Sequence, residues 1–592
     1  MRPNARENGQ IRPSTTVRAA QSDGSRQHLR AVLQEGRKSA NIHAQSGVIR
    51  GIPEVETVIN PKTAAISLNA AEKLILAVSG LIALAIFLVT DPVVFGWDSN
   101  WYLRYADAIS KHTVDPGTYS RRPGYPLLLV ATLYPWTLSV IPVLAVQAVC
   151  AALTPLLIYK TLRFVSSLLA LCGAWLSIGT LLPYSFQTYL FPDPIQVFLS
   201  ILFCYFVVSY IFERTTTTMI GMFLAYLALS FFRPPFLLFY LIIAAVVAIA
   251  AWQDRKNLAA YLNPFVALSL LVGGILVFAT ALEVFVYEHV GAERRHLEGR
   301  MIFLNAFTGS VGVEGAFTDG KHTAVLREKL VSFFREAPVE LRDMRTLGLD
   351  SRIAHSFDAY KSDPEKMAAA ILNLRTNYMW GVLFNISDNW FGRDRDRLFM
   401  QVALEQYRLH PKILLNVIST GFAYYLGIRA CGPPPDHSFE EYACRFYPAY
   451  YPIVYETFKG DTHGIITGMR PHTFQLVDPI ILNKVIAPFS SFANEIWPSI
   501  YRAVLPIASF LTGIALLFAG YRAFSRTGIQ DIRSDLAVLF AVLSVFLFYS
   551  VPIFMLTDPQ FRYVSAGALF LVMSGTIALR ILIIGFFPVK YC

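Results

Sequence analysis

Two acids and four arginines are the residues of this chain best suited to chemistry on a phosphate-bearing substrate. Asp98 stands in GWDSNWYLRYADAISKHTVDPGTYSRRPGYP, residues 96–126, just past the end of an apolar stretch. An aromatic-rich helical pattern follows (Trp101, Tyr102, Leu103, Tyr105, Ala106, Ile109), then Arg121 and Arg122, then Pro123-Gly124-Tyr125-Pro126 leading back into apolar sequence. Asp193 lies between two prolines in YLFPDPIQVFL, Arg233 in FFRPPFLL and Arg562 in TDPQFRYVSAG. A carboxylate at a bilayer edge is costly and marks a functional candidate. A guanidinium matches a phosphate through paired donors. An acid able to take a proton and several arginines at one membrane surface suit a lipid-borne phosphate substrate. The same residues also have plain structural uses: Asp98 as a helix N-cap, Asp193 as a partner for a helix dipole, and each Arg as a side chain reaching for lipid headgroups. Capping uses one carboxylate oxygen and leaves the other, so both roles can hold at Asp98.

The elements that must position these groups are membrane helices. The chain has 592 residues, 54% of them hydrophobic and 16% charged. Soluble domains carry about 25% charge, so the sequence predicts an all-α polytopic membrane protein. Apolar runs near the ~20 residues that cross a bilayer occur at roughly 72–90, 137–159, 164–183, 194–212, 217–232, 235–251, 262–284, 501–519, 535–555 and 564–586. This predicts about ten transmembrane helices, with 217–232 the least secure as a separate span. Roughly seventy residues precede the first run and no small-residue cleavage site is evident, which argues against a cleavable signal.

Lys160, Arg163, Arg214, Arg255, Lys256, Arg522, Arg526, Arg533 and Lys590 fall on the side of the Arg-rich N-terminal tail. The positive-inside rule then makes both termini cytoplasmic. It turns Asp98, Asp193, Arg233, the 287–500 segment and Arg562 to the exterior. The net charge of +10 follows largely from this bias and calls for no nucleic acid. The predicted organisation is a disordered cytoplasmic tail (1–70), a transmembrane catalytic bundle with exterior loop 91–136 (71–286), a mainly helical extracytoplasmic domain (287–500) and C-terminal transmembrane helices (501–592).

Within 287–500, the stretches 321–337, 364–384 and 396–410 have helical periodicity, and 414–428 reads as a buried or interfacial helix rather than a span. Its acids and histidines, Asp388, Asp394 and Asp396 among them, read as a solvated face. Arg393, Arg395 and Arg397 interleave with the Asp394-x-Asp396 pair and offset its charge, so no metal site is assigned there. Cys431 and Cys444 are the two cysteines that fall in this exterior stretch, and an oxidising compartment favours a disulfide between them.

The order of these motifs resembles the GT-C glycosyltransferases that use polyprenyl-phosphate sugars, with the bacterial aminoarabinose transferase and the protein O-mannosyltransferases among that family's members. An Asp in the first exterior loop, YLRYADAI, RRPGYPLLL, Asp193 in the second loop, FFRPP between two spans and the late RYVSAGALFL carry the resemblance. It covers about 70–286 well and 555–586 loosely. The resemblance implies a catalytic pair, Asp98 as base and Asp193 orienting acceptor or donor sugar. It implies a substrate-binding set of Arg121, Arg122, Tyr125, Arg233, Arg562 and Tyr102. Trp97, Trp101, Tyr102 and Tyr105 would sit at headgroup level and help admit the lipid. Family members often show an acid pair where this chain has Asp98-Ser99, so no cofactor is assigned and a divalent metal stays open.

The implied partners are a polyprenyl-phosphate-linked sugar, a lipid, polysaccharide or protein acceptor, and membrane lipid. The implied location is a bacterial inner membrane with the active site facing the periplasm. Two other classes remain open: a lipid-linked glycan polymerase or ligase, and a multi-span transporter. Transporters place charge at the midplane of repeated halves, and neither feature is visible here.

Overall fold

The structure, a computed structural model, describes residues 68–89, 96–113, 122–133, 135, 139–184, 186–290, 297–349, 351–375, 377–392, 394–425, 497–524, 532–556 and 561–586. The predicted tail, Arg121 and the Cys431–Cys444 pair lie outside the described residues, apart from the tail's last three positions. Among the described residues the fold is helical, with no β-strand. In chain order the main helices are α1 (Ala70–Val89), α2 (Gly96–Ser110), α3 (Gly124–Leu133), α4 (Ile141–Arg163), α5 (Ser167–Gly179), α6 (Asp193–Glu213), α7 (Thr216–Phe232), α8 (Phe239–Gln253) and α9 (Leu258–Val290). They continue as α10 (Leu297–Gly309), α11 (Lys321–Glu336), α12 (Pro364–Leu374), α13 (Asn377–Trp390), α14 (Arg395–Leu409), α15 (Pro411–Tyr425), α16 (Trp497–Phe524), α17 (Arg533–Leu556) and α18 (Phe561–Phe586).

Among the described residues eight helical stretches are long and apolar enough to cross a membrane: α1, α4, α6, α9, α16, α17, α18, and α8 together with the 3-10 turn that leads into it (Phe236–Gln253, 18 residues). The described residues are therefore all-α, with the apolar helices of a multi-pass membrane protein. Two stretches that the sequence offers as spans, 164–183 and 217–232, form helices of 13 and 17 residues. At 1.5 Å per residue these reach about 20 and 25 Å, short of a ~30 Å hydrocarbon core. Both have local stops. Leu181 takes a left-handed backbone (φ 53°) after α5, and Pro234-Pro235 ends α7.

The bundle has a continuous apolar core that includes Ile75, Leu162, Phe203, Phe239, Tyr549 and Phe570. α18 runs through it and α9 lies largely outside it. Gly575 lets α16 and α18 approach closely: a Cβ there would stand 2.6 Å from Ala508 Cα. Polar groups tie helix ends together on the side away from Asp193. Arg163 Nη1 lies 3.4 Å from Glu72 Oε1, and Arg580 Nε lies 3.0 Å from Asp535 Oδ2.

The helices between 297 and 425 build a second apolar core from Phe303, Phe307, Leu330, Ile371, Ile386 and Phe399 among others. The stretches read as helical at 321–337 and 396–410 are α11 and α14. The 364–384 stretch divides into α12 and α13, because Arg375 turns left-handed (φ 35°). Its guanidinium donates to the carbonyls of Ser310, Val313 and Ala316 and so pins that turn to the loop after α10. Glu405 of α14 accepts from the backbone N–H groups of His322 and Thr323 and from the Thr323 hydroxyl, satisfying the free donors at the start of α11. α15 joins the two cores. Ile413 and Val417 belong to the second, whereas the Phe422 ring meets Phe546 and Phe554 of α17.

Candidate functional site

Prolines set the geometry at one end of the bundle. Pro192 and Pro194 flank Asp193, and α6 begins at Asp193 with Pro194 in its first turn, where no N–H is needed. The acid thus sits at the positive end of a helix dipole. Pro234 pushes the residue before it out of the helical region. α7 therefore stops at Phe232, and Arg233 is extended (φ −150°, ψ 139°) with its N–H still donating to the Leu229 carbonyl. This turn brings Arg233 Nη2 to 3.0 Å from Asp193 Oδ1, with the two side chains 12% and 3% exposed. Asp193 Oδ2 is buried and has no hydrogen-bond partner. An interior carboxylate oxygen without a donor is costly and is open to a hydroxyl.

The N-terminus of α3 packs on the end of α7. A Cβ at Gly124 would lie 2.7 Å from the Phe231 carbonyl oxygen, so only glycine permits this approach. The contact holds half-buried Arg122 and buried Tyr125 beside the segment that carries Arg233. The Tyr125 hydroxyl donates to Gln147 Oε1 at 2.9 Å. Gln147 Nε2 in turn donates to the carbonyls of Gln187 and Tyr189, both at 2.8 Å. The loop leading to Asp193 is thereby tied to α3 and α4. Tyr102 meets the Tyr125 ring edge-on at 5.2 Å between centroids.

Several expectations change as a result. Tyr102 and Tyr105 are buried within the protein, and Tyr102 packs on Tyr125 of α3. Tyr102 and Tyr125 thus act first as the packing that positions the site. Asp98 is not the residue before a helix. It is the third residue of α2, one turn ahead of Tyr102, where an acid still favours the helix dipole. Arg233 is not a free cation, since Asp193 holds one edge of its guanidinium. Arg562 is the second residue of α18. It begins at the same end of the bundle, because Phe236 just after Arg233 packs on Tyr549, whose ring meets Phe570 of α18.

The acids of the second core are not simply a solvated face. Buried Arg300 donates through Nε to Asp396 Oδ1 at 2.8 Å and also pairs with Asp388. Arg395 Nη1 lies 3.2 Å from Asp388 Oδ1. Burial pushes the Asp396 carboxyl above its ordinary range, against the pull of Arg300 and Arg395. Asp396 of the Asp394-x-Asp396 pair is thus engaged by Arg300, while Asp394 is exposed just ahead of α14. Among the described residues no group of three or more His, Cys, Asp or Glu side chains is placed to hold a metal ion.

Gln147, Gln196 and Ser200 are not among the functional residues that the sequence motifs single out. Gln147 carries the hydrogen bonds that fix the loop before Asp193. Gln196 and Ser200 follow Asp193 on α6 with buried side-chain atoms that have no partner. The available signal was an amide alone in an apolar run, IPVLAVQAVC and DPIQVFL, since polar groups inside membrane helices are rare and functional by default. No protein-family model, no curated protein and no solved structure matches this chain.

Proposed function

We propose that this protein is a GT-C type membrane glycosyltransferase that moves a sugar from a polyprenyl-phosphate donor to an acceptor outside a bacterial inner membrane. One observation carries the reading: the buried Asp193–Arg233 pair with a vacant carboxylate oxygen, packed against the α3 segment that bears Arg122. In this reading α5 and α7 complete a set of ten spans and both termini are cytoplasmic. The ends that hold Asp193 and Arg233 and the helices of 297–425 then face the exterior.

The acceptor hydroxyl attacks the anomeric carbon, and the bond from that carbon to the phosphate oxygen breaks on the opposite side, inverting the centre. The leaving polyprenyl phosphate departs as an anion and needs no proton. Catalysis therefore rests on a base and on cations. Asp98 takes the acceptor's proton. Asp193 Oδ2 accepts a hydroxyl of the donor sugar or the acceptor. Arg122, Arg121 and Arg562 meet the phosphate, and Arg233 holds Asp193 in place and adds its positive charge to the site. The acceptor is a lipid, a polysaccharide or a protein.

The test is transfer in proteoliposomes supplied with a panel of labelled polyprenyl-phosphate sugars and an outer-membrane or envelope extract as acceptor. The expected result is release of polyprenyl phosphate, abolished in Asp98→Asn while the protein still inserts. Inside the first turn of α2, Asn forfeits only the interaction of the acid with the helix dipole, about 0.3–1 kcal/mol, but cannot take the proton. Wild-type turnover in Asp98→Asn removes the base. Consumption of a diphosphate-linked oligosaccharide instead of the monophosphate donor overturns the family reading in favour of a polymerase or ligase.

A further inference from the structure

Asp193 is the first of three buried polar residues along one face of α6. Asp193, Gln196 and Ser200 are spaced three and four residues apart, the spacing that stacks side chains on a single helical face. All three are nearly inaccessible, at 3%, 1% and 0% exposure. Asp193 Oδ2, Gln196 Nε2 and Ser200 Oγ are each buried without a hydrogen-bond partner. The face runs about 10 Å along the helix axis.

Many hydroxyls in the bundle find a partner within their own helix, whereas Ser509 Oγ and Gln187 Oε1 are, like this face, buried without one. Thr154, Thr161, Ser230, Ser269 and Thr512 each donate to the carbonyl four residues back in their own helices. Gln147 satisfies its amide completely, with one bond to Oε1 and two from Nε2. Ser200 and Gln196 have no such arrangement, although they lie on the same face as the acid that meets Arg233. Buried polar atoms without partners are costly and call for a partner such as a bound water, an ion or a ligand; three in a row on one face beside the Asp193–Arg233 pair favour a ligand. Ser209 and Tyr210, which also carry unpartnered oxygens, stand further along α6 and off this face.

We infer that the Asp193–Gln196–Ser200 face is a subsite for the hydroxyls of the donor's glycosyl group, running from the Arg233 pair into the bundle. This deepens the proposed transfer reaction and rests on it. The three groups offer a carboxylate acceptor, an amide donor and a hydroxyl that can serve either way, a set that suits successive ring hydroxyls. A site built to bond a substrate hydroxyl discriminates strongly against a donor that lacks it, because its own polar group is then left unpaired. Gln196 and Ser200 are thus specificity-determining residues, distinct from the base.

The experiment compares Gln196→Met and Ser200→Ala with wild type in proteoliposomes. The donors are the accepted polyprenyl-phosphate sugar and its analogues each lacking one hydroxyl. Wild type should prefer the complete sugar by tenfold or more at particular ring positions. Each variant should lose the preference at one position while retaining transfer of the matching deoxy donor. Each variant without donor should melt no lower than wild type, because an unpaired buried polar group has been removed. The subsite is overturned if wild type transfers sugar and both variants keep the same discrimination, or if both melt well below wild type, which would mark the face as structural. If wild type transfers no sugar from any polyprenyl-phosphate donor, the transferase reading itself fails, a result that stands apart from the other two.

Discussion

Replacing Arg233 by Met tests whether the Asp193–Arg233 pair organises this end of the bundle. The substitution keeps most of the apolar stem and removes the guanidinium. Asp193, 3% exposed, is then left as a buried charge without a cation. Breaking a buried pair from one side costs about 3–5 kcal/mol, whereas replacing both partners by neutral groups is often near neutral. Cys204, fully buried further along α6, reports opening of this helix. In a variant whose other five cysteines are serine, labelling of Cys204 by a maleimide follows the population of open molecules when reclosing is fast. A loss of 3–5 kcal/mol corresponds to labelling roughly 150- to 5,000-fold faster. Asp193→Asn, which strands the arginine instead, should fall in the same direction. The double variant Asp193→Asn/Arg233→Met should label much more slowly than Arg233→Met alone. The reasoning is refuted if Arg233→Met labels less than about tenfold faster than wild type, below the range expected for breaking a buried pair. A double variant as fast as the two singles added together refutes it equally.

Gly124→Ala places a methyl 2.7 Å from the Phe231 carbonyl oxygen. It should destabilise the α3–α7 junction by about 1–3 kcal/mol, seen as faster Cys204 labelling and a lower melting temperature. In the second core, Glu405 is buried enough to raise its carboxyl, but its bonds from His322 and Thr323 outweigh that and hold it below the ordinary range. A lowered carboxylate contributes stability above its unfolded pKa of about 4.3 and loses it as pH falls through the folded value. The melting-temperature difference between wild type and Glu405→Gln should therefore be largest near neutral pH and shrink as pH drops below about 4. Equal differences at both pH values would show that ionisation of Glu405 is not what supports the start of α11. Cys431 and Cys444 should run as an intramolecular disulfide in non-reducing peptide mass analysis of protein taken from intact membranes. Closing a loop of that size stabilises by roughly 3 kcal/mol in the chain-entropy model, and free thiols at both positions would remove it.

Most helices were legible in the sequence, because apolar periodicity and proline are local signals, although 164–183 yielded only 13 helical residues and 364–384 broke at Arg375. Twenty apolar residues make a span, and 321–337 and 396–410 became α11 and α14 almost residue for residue. Prolines around Asp193 and after Arg233 set both residues at helix ends, as a backbone constraint that needs no partner. Which helix ends meet is set by tertiary packing between residues distant in the chain. Asp193 and Arg233 are 40 residues apart in the chain, and nothing in either motif names the other. Their pairing depends on α6 and α7 packing antiparallel. The burial of Tyr102 and Tyr125, the bond from Tyr125 to Gln147, and the capture of Asp388 and Asp396 by Arg300 arise in the same way. Each needs two helix faces to be brought together. A polar residue's role there is set by what the opposing face supplies, and local pattern carries no record of that face.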